Sequence, residues 1–185
     1  MTEPVREKAV DPEFGGRRWR RYVAAFDRVQ HCVEEGYHLE AIAVLDSLIS
    51  DRLTSRLTHL DKKELDQKKP PTVGQACASL IGGKRGPGVE NNPEIRAVVI
   101  ELSAWADRRN EAMHAMAKIL HNADPDTGFD DLLRSQRQTA QDGISLLQAF
   151  DRLDTRERWR SGIRPGTWPN AFFPAGRKGR ALETR

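Results

Sequence analysis

The chain has 185 residues and a formal net charge of +3, with 31% charged residues, 6% aromatic residues and a mean hydropathy of −0.66. Apolar residues make up 38% and recur at regular spacing, which excludes an intrinsically disordered chain. Two cysteines are too few for the disulfide framework of a small secreted domain. The sequence has no apolar run long enough to span a membrane and no signal peptide, so we expect a cytoplasmic protein.

The spacing of the apolar residues predicts an all-α fold. We expect an antiparallel bundle of four main helices plus one short helix, followed by an irregular C-terminal tail. Residues 1–16 contain prolines and a glycine pair without periodicity, and we interpret them as a flexible leader. The helical bundle is then predicted over 17–154 and the tail over 155–185.

Local signals set the predicted ends of these helices. Gly36 stands where a glycine ends a helix, Thr72 can cap the short helix, and Pro93 fits a first helical turn. The glycine-rich run 82–88 predicts a loop, because it lacks the Ser or Thr that follows Gly-Lys in a phosphate-binding loop. The predicted helices are 17–35, 38–60, 73–81, 93–121 and 129–153.

The helix predicted over 93–121 carries an arginine where its apolar stripe predicts a buried side chain. Arg109 comes seven residues after Leu102 and four before Met113. A buried charge is costly unless it is paired. Asp46 interrupts the apolar stripe of the 38–60 helix in the same way, so we predict that it pairs with Arg109. The other members of the stripe are Trp105, Ala106, Met116, Ala117 and Leu120.

Arg109, Asn110 and His114 offer the groups that can cleave RNA without a metal. Such a ribonuclease needs a base for the 2′-OH proton, an acid for the leaving 5′-oxygen and a cation for the charge of the phosphorane. Histidine titrates near neutral pH and can serve as the acid or the base. Arginine supplies a planar, permanently charged fork for phosphate oxygens. Asn110 and His114 are four residues apart and share the flank of the helix.

The run Arg109-Asn110-Glu111-Ala112-Met113-His114 resembles the Arg, four to six residues, His motif of the HEPN superfamily, including the polar residue that typically follows the arginine. The segment 37–46 also resembles the second helix of HEPN-like proteins, and the resemblance covers about 17–153. It implies a helical bundle that dimerises so that two motifs meet in one cleft. It also implies metal-independent endoribonuclease activity, often that of a toxin or an abortive-infection effector.

The resemblance further implies that Arg109 binds and polarises phosphate, that His114 is the acid or the base, and that Asn110 supports the site. The expected partners are an RNA substrate, a second copy of the chain and a cognate antitoxin or another defence-system partner. Some HEPN-like proteins are non-catalytic scaffolds, so the alternative is a helical module that binds RNA or a partner protein. In that alternative Arg109 is a buried salt bridge and His114 an ordinary half-buried histidine.

We expect no cofactor and no metal site. The acidic run 124–130 resembles the start of a calcium loop, but Ser135 stands where the loop needs a glutamate. The histidines and cysteines are not spaced as a zinc site. Cys32 and Cys77 are interpreted as small core residues.

Further basic residues are candidate contacts to RNA. His121 lies two turns beyond His114 on the same face. The tail 155–185 has eight basic residues against two acidic ones, interleaved with four aromatic residues. These could bind phosphates and stack on bases, or dock the tail on the bundle or a partner subunit. The first helix opens with four arginines that form either a solvated face or a phosphate-facing patch: Arg17, Arg18, Arg20 and Arg21.

Overall fold

The computed structural model describes residues 12–61, 70–83, 86–115 and 128–161. Within these ranges the chain forms five helices and one short β-hairpin, which confirms the predicted all-α class. The hairpin pairs Gly82 with Pro87 and Gly83 with Gly86. In chain order the elements are α1 (Pro12–Glu34), α2 (His38–Asp61), α3 (Val73–Ile81), β1 (Gly82–Gly83), β2 (Gly86–Pro87), α4 (Pro93–His114) and α5 (Phe129–Arg160).

The local signals at the helix ends act as predicted. The Thr72 hydroxyl accepts a hydrogen bond from the backbone N–H of Gln75, whose side chain in turn accepts one from the Thr72 N–H. The Asn92 side chain caps α4 by accepting hydrogen bonds from the backbone N–H groups of Glu94 and Ile95, and Pro93 occupies the first turn. Gly36 has a φ of +84°, which favours glycine, directly after α1 ends. The Thr72 and Asn92 caps accept hydrogen bonds from N–H groups that have no partner inside the helix.

Helices α1 and α2 are antiparallel, as are α4 and α5, whereas α2 and α5 are parallel. Ion pairs of α1 with α2 and of α4 with α5 join the start of one helix to the end of the other. By contrast, α2 and α5 run in the same direction, because Arg52 contacts Asp151 and Arg158 contacts Ser55. The connection between α2 and α5 contains α3 and α4, which is long enough to return the chain to its starting end.

The core lies around Trp105, which is fully buried between α2, α4 and α5. Its indole N–H donates to the backbone carbonyl of Thr139 at 2.8 Å. The helix α5 approaches closely here because Gly143 faces the indole. A Cβ atom on Gly143 would lie 2.9 Å from Trp105 Nε1 and 3.0 Å from Leu45 Cδ1. This approach sets the register of α5 against the other two helices.

We therefore expect Gly143→Ala to destabilise the fold although alanine favours a helix. The helix propensity gain is about 1 kcal/mol, whereas overpacking a fixed indole costs about 1–3 kcal/mol. Gly74→Ala is the matched control, since nothing lies within 4 Å of its added Cβ. Urea unfolding should show a lower midpoint for Gly143→Ala only. Equal or higher stability of both variants would contradict the packing argument.

A second buried feature is an ionic network that joins α2 to α5 and to the segment before α4. The Arg52 and Arg56 guanidinium groups contact Asp154 at 2.9 Å and 3.3 Å, and Arg56 also contacts Glu90 at 2.7 Å. Asp151 lies 2.9 Å from Arg52. With Arg158, which binds Asp154, the network holds three positive and three negative charges. Since the charges balance, the network can stay ionised inside the protein.

Several predicted ends and positions are corrected by the structure. Helix α1 begins at Pro12 rather than at residue 17, so the leader prediction is wrong over 12–16. Helix α5 continues to Arg160 instead of ending at residue 153, because Arg158 is held by the buried network. The predicted tail therefore begins no earlier than 161. The glycine-rich run pairs as β1 and β2 and is not a plain loop.

Two predictions on α4 also need correction or fall outside the described residues. Met113 is 44% exposed, and Ala112 occupies the buried position of the stripe at 6% exposure. The described part of α4 ends at His114, so the predicted continuation to residue 121 lies outside the described residues. None of the described helices is long and apolar enough to cross a membrane.

Candidate functional site

Arg109 is held by the predicted partner. Its Nη2 atom lies 2.7 Å from Oδ1 of Asp46, so α4 and α2 meet through an ion pair near the C-terminal end of α4. The Nη1 atom donates to Oδ1 of Asn110 at 2.8 Å. The side chains of Arg109 and Asp46 are 21% and 33% exposed. Arg109 is therefore partly buried, and its two terminal nitrogens each have a partner within the chain.

The surroundings of this ion pair raise the pKa of the Asp46 carboxyl group. Burial raises the pKa of the Asp46 carboxyl, and the nearby Arg109 charge lowers it by less, so the net direction is upward. The Asp46 carboxylate has lost part of its hydration, and its attraction to Arg109 does not fully compensate for that loss. An anionic ligand that approaches Arg109 would compete with a carboxylate that is itself partly desolvated.

His114 lies on a different side of α4 from Arg109. Five residues separate them, which on an α-helix is a rotation of about 140°. Arg109 faces α2, whereas His114 is exposed in the last turn of α4. Among the described residues no hydrogen bond or ion pair joins His114 to Arg109 or Asn110. The structure thus brings together Arg109, Asn110 and Asp46 but leaves His114 on the outer side of the helix.

No protein-family model, curated protein or solved structure matches the chain. The site must therefore be interpreted from its own residues.

The four arginines of α1 do not join this site. Arg18 donates to Oδ2 of Asp51 at 2.6 Å and to the hydroxyl of Tyr22 at 3.0 Å, so it fastens α1 to α2. Arg17, Arg20 and Arg21 are exposed on α1, which packs chiefly against α2. Arg18 thus forms an ion pair within the chain, and the RNA contacts expected of these four arginines stay a prediction.

His121 lies outside the described residues, so its predicted RNA contact is not described. Cys32 and Cys77 are fully buried, in keeping with their interpretation as core residues. Burial raises the pKa of Cys77 to about 12, which removes any nucleophilic thiolate at neutral pH. Among the described residues, no group of three or more acidic, histidine or cysteine side chains is placed to hold a metal ion.

His38, the first residue of α2, has no partner that the sequence identifies. Its Nδ1 atom is buried and makes no hydrogen bond with another described residue. Burial lowers the pKa of His38, and the charge of Arg137 lowers it further, so the imidazole is neutral at pH 7. Its place before an apolar stripe, four residues ahead of Ile42, was the available signal. It lies two turns from Asp46 on the same helix, about 12 Å along the axis.

Proposed function

We propose that the chain is a metal-independent endoribonuclease that acts as a toxin or phage-defence effector, with Arg109 and His114 meeting in a cleft formed by two copies. The base removes the 2′-OH proton, the 2′-oxygen attacks phosphorus, and the acid protonates the 5′-oxygen as its bond to phosphorus breaks. The products are a 2′,3′-cyclic phosphate and a free 5′-OH. His114 is the acid or the base, and Arg109 stabilises the phosphorane charge.

The observation that carries this proposal is the way in which Arg109 is held. Asp46 and Asn110 each engage one terminal nitrogen, which fixes the guanidinium, and the Arg109 side chain as a whole is 21% exposed. A fixed and partly desolvated guanidinium suits phosphate binding, because its direction is set before the ligand arrives. An arginine needed only for solubility would not require two partners at a helix interface.

The orientation of His114 supports the dimeric form of the proposal. One copy of α4 directs Arg109 and His114 to different sides, and no contact among the described residues of one chain joins the two side chains. A second copy related by a two-fold axis can place its own His114 beside the first copy's Arg109. The proposed active unit is therefore a homodimer with two composite sites.

The direct test is cleavage of RNA by the purified chain in EDTA, with the ends of the products identified by mass spectrometry. We expect cyclic phosphate ends at an undiminished rate, because no metal enters the mechanism. Products ending in 3′-OH, or loss of cleavage on chelation, would contradict the proposal. A strictly monomeric but active protein would contradict the composite site alone.

The second candidate function is a non-catalytic helical module that binds RNA or a partner protein. It is favoured by the same ion pair, since Asp46 neutralises Arg109 within the chain. Under this alternative Arg109 is a structural residue and RNA stays intact. Arg109→Lys distinguishes the two candidates. A lysine keeps a charge opposite Asp46 but lacks the planar fork, so a ribonuclease with this substitution still folds and binds RNA but no longer cleaves it. In a non-catalytic module, neither the wild type nor the variant cleaves RNA.

Asp46 tests whether the direction of Arg109 matters. We expect Asp46→Ala to lower kcat by about tenfold to a hundredfold, because an unheld guanidinium loses its alignment. Asp46→Asn keeps an acceptor oxygen of the same shape and should retain most of the rate. Steady-state kinetics check this, with the thermal midpoint of each variant as the control for folding. Equal kcat for Asp46→Ala and the wild type would remove Asp46 from the proposed site.

A further inference from the structure

The side of α4 that faces away from the core has an apolar middle. Ile100 is 55% exposed, and Ala97 and Ala104 are exposed on the turns before and after it. These three residues are three and four positions apart, so they form one strip. Beside the strip an open groove of about 340 Å³ runs between α4 and α5. Its lining residues are Glu101, Ala104, Arg108, Asp142, Ser145 and Leu146.

The charges around this strip are acidic and largely unpaired. Arg108 is matched by Asp142 at 3.2 Å, so that pair contributes no net charge. Glu101, Asp107 and Glu111 have no ion-pair partner among the described residues. All three lie within about 60° of Ala104 around the helix axis. The face therefore suits an occupant that brings apolar side chains for the strip and positive charges for its borders.

We propose that this occupant is the C-terminal segment of the same chain, residues 162–185. The segment has five basic residues against one acidic residue, Glu183. It also has three large aromatic residues that can anchor on the strip: Trp168, Phe172 and Phe173. Its charge and its apolar content thus complement the outer face of α4, whereas the exposed arginines of α1 would repel it.

The point at which the segment leaves the bundle favours docking within one chain. Arg156, in the last turns of α5, pairs with Glu94 in the first turn of α4, so the segment begins at one end of the α4–α5 groove. Asp142 at the groove lies 18 residues before Arg160, about 27 Å along α5. A segment of 24 residues can span up to about 80 Å when extended. Tethering also gives it an effective concentration near the millimolar range, which favours it over a second copy.

This docking goes beyond the proposed function and does not depend on it. In the docked segment, the basic residues contact carboxylates of α4 and are therefore not available to bind RNA phosphates. RNA and the outer face of α4 would then compete for one segment, so the acidic face restrains RNA binding by the tail.

The test uses the full chain with Ala104→Cys and Phe172→Cys together. The effective concentration of the two new thiols is measured from the disulfide equilibrium with glutathione. The native Cys32 and Cys77 are fully buried and compete little. The matched control joins Phe172→Cys to Ala43→Cys, since Ala43 is exposed on α2. We expect an effective concentration about tenfold higher for position 104 than for position 43.

Neutralising the acidic border distinguishes docking from simple proximity. Glu101→Gln, Asp107→Asn and Glu111→Gln together should lower the effective concentration at position 104 by about tenfold, because three exposed attractions are lost. Equal values for positions 104 and 43, or no effect of the neutral variants, would overturn the proposal. A disulfide between chains in place of one within the chain would also overturn it and identify a second copy as the occupant. The readout needs no RNA, so it is independent of cleavage.

Discussion

Asp154→Ala is expected to lower the free energy of unfolding by about 3–5 kcal/mol, the cost of leaving buried charges without a partner. The Asp154 side chain is fully buried and lies within ion-pair distance of Arg52, Arg56 and Arg158. Its removal would leave an excess of positive charge between α2 and α5, where water cannot enter. Urea or thermal unfolding followed by circular dichroism measures the change.

Glu94→Gln is the matched control for this prediction. Glu94 of α4 forms an ion pair with Arg156, which lies on α5 as Asp154 does. The side chains of Glu94 and Arg156 are 58% and 47% exposed. An exposed pair contributes about 0–1 kcal/mol, so the control should change stability little. If the two variants lose the same stability, the buried network contributes no more than a surface ion pair.

Mixing two inactive variants is expected to restore RNA cleavage. Arg109→Ala and His114→Ala should each lower the rate by about a hundredfold to ten-thousandfold, as for loss of a general acid–base or phosphorane-stabilising group. In a composite site the heterodimer of the two variants has one site with both side chains intact. Random mixing makes half of the dimers heterodimers, so about a quarter of the wild-type activity should return.

The physical reason for this restoration is the rotation of about 140° between the two side chains on α4. A site within one chain would predict the opposite result, because neither variant then has both residues. Co-expression with two affinity tags isolates the heterodimer, and its RNA cleavage rate decides the matter. Arg108→Ala is the control, since Arg108 is an exposed neighbour paired with Asp142 and should leave the rate unchanged. Wild-type cleavage by His114→Ala alone would refute the mechanism.

The pairing of Asp46 with Arg109 shows what periodicity can predict across a fold. Each residue interrupts an apolar stripe that faces the core. Two opposite charges on such stripes are expected to form an ion pair, because an unpaired charge is costly in a buried position. The buried network obeys the same rule but was not predicted. Arg52 and Arg56 are one turn apart, as are Asp151 and Asp154, yet many exposed side chains share this spacing. Which charged turns face inward depends on how α2 and α5 cross.

The sequence by itself determined the helical class, the cap at Thr72, the helix end at Gly36, the place of Pro93 in a first turn, and the candidate motif. Those features depend on interactions within a few residues of one another. Only the tertiary structure decided that α5 runs parallel to α2, that Gly143 packs against Trp105, and that Arg52 and Arg56 face Asp154. The direction of a side chain relative to a distant helix is set by the packing of the whole bundle.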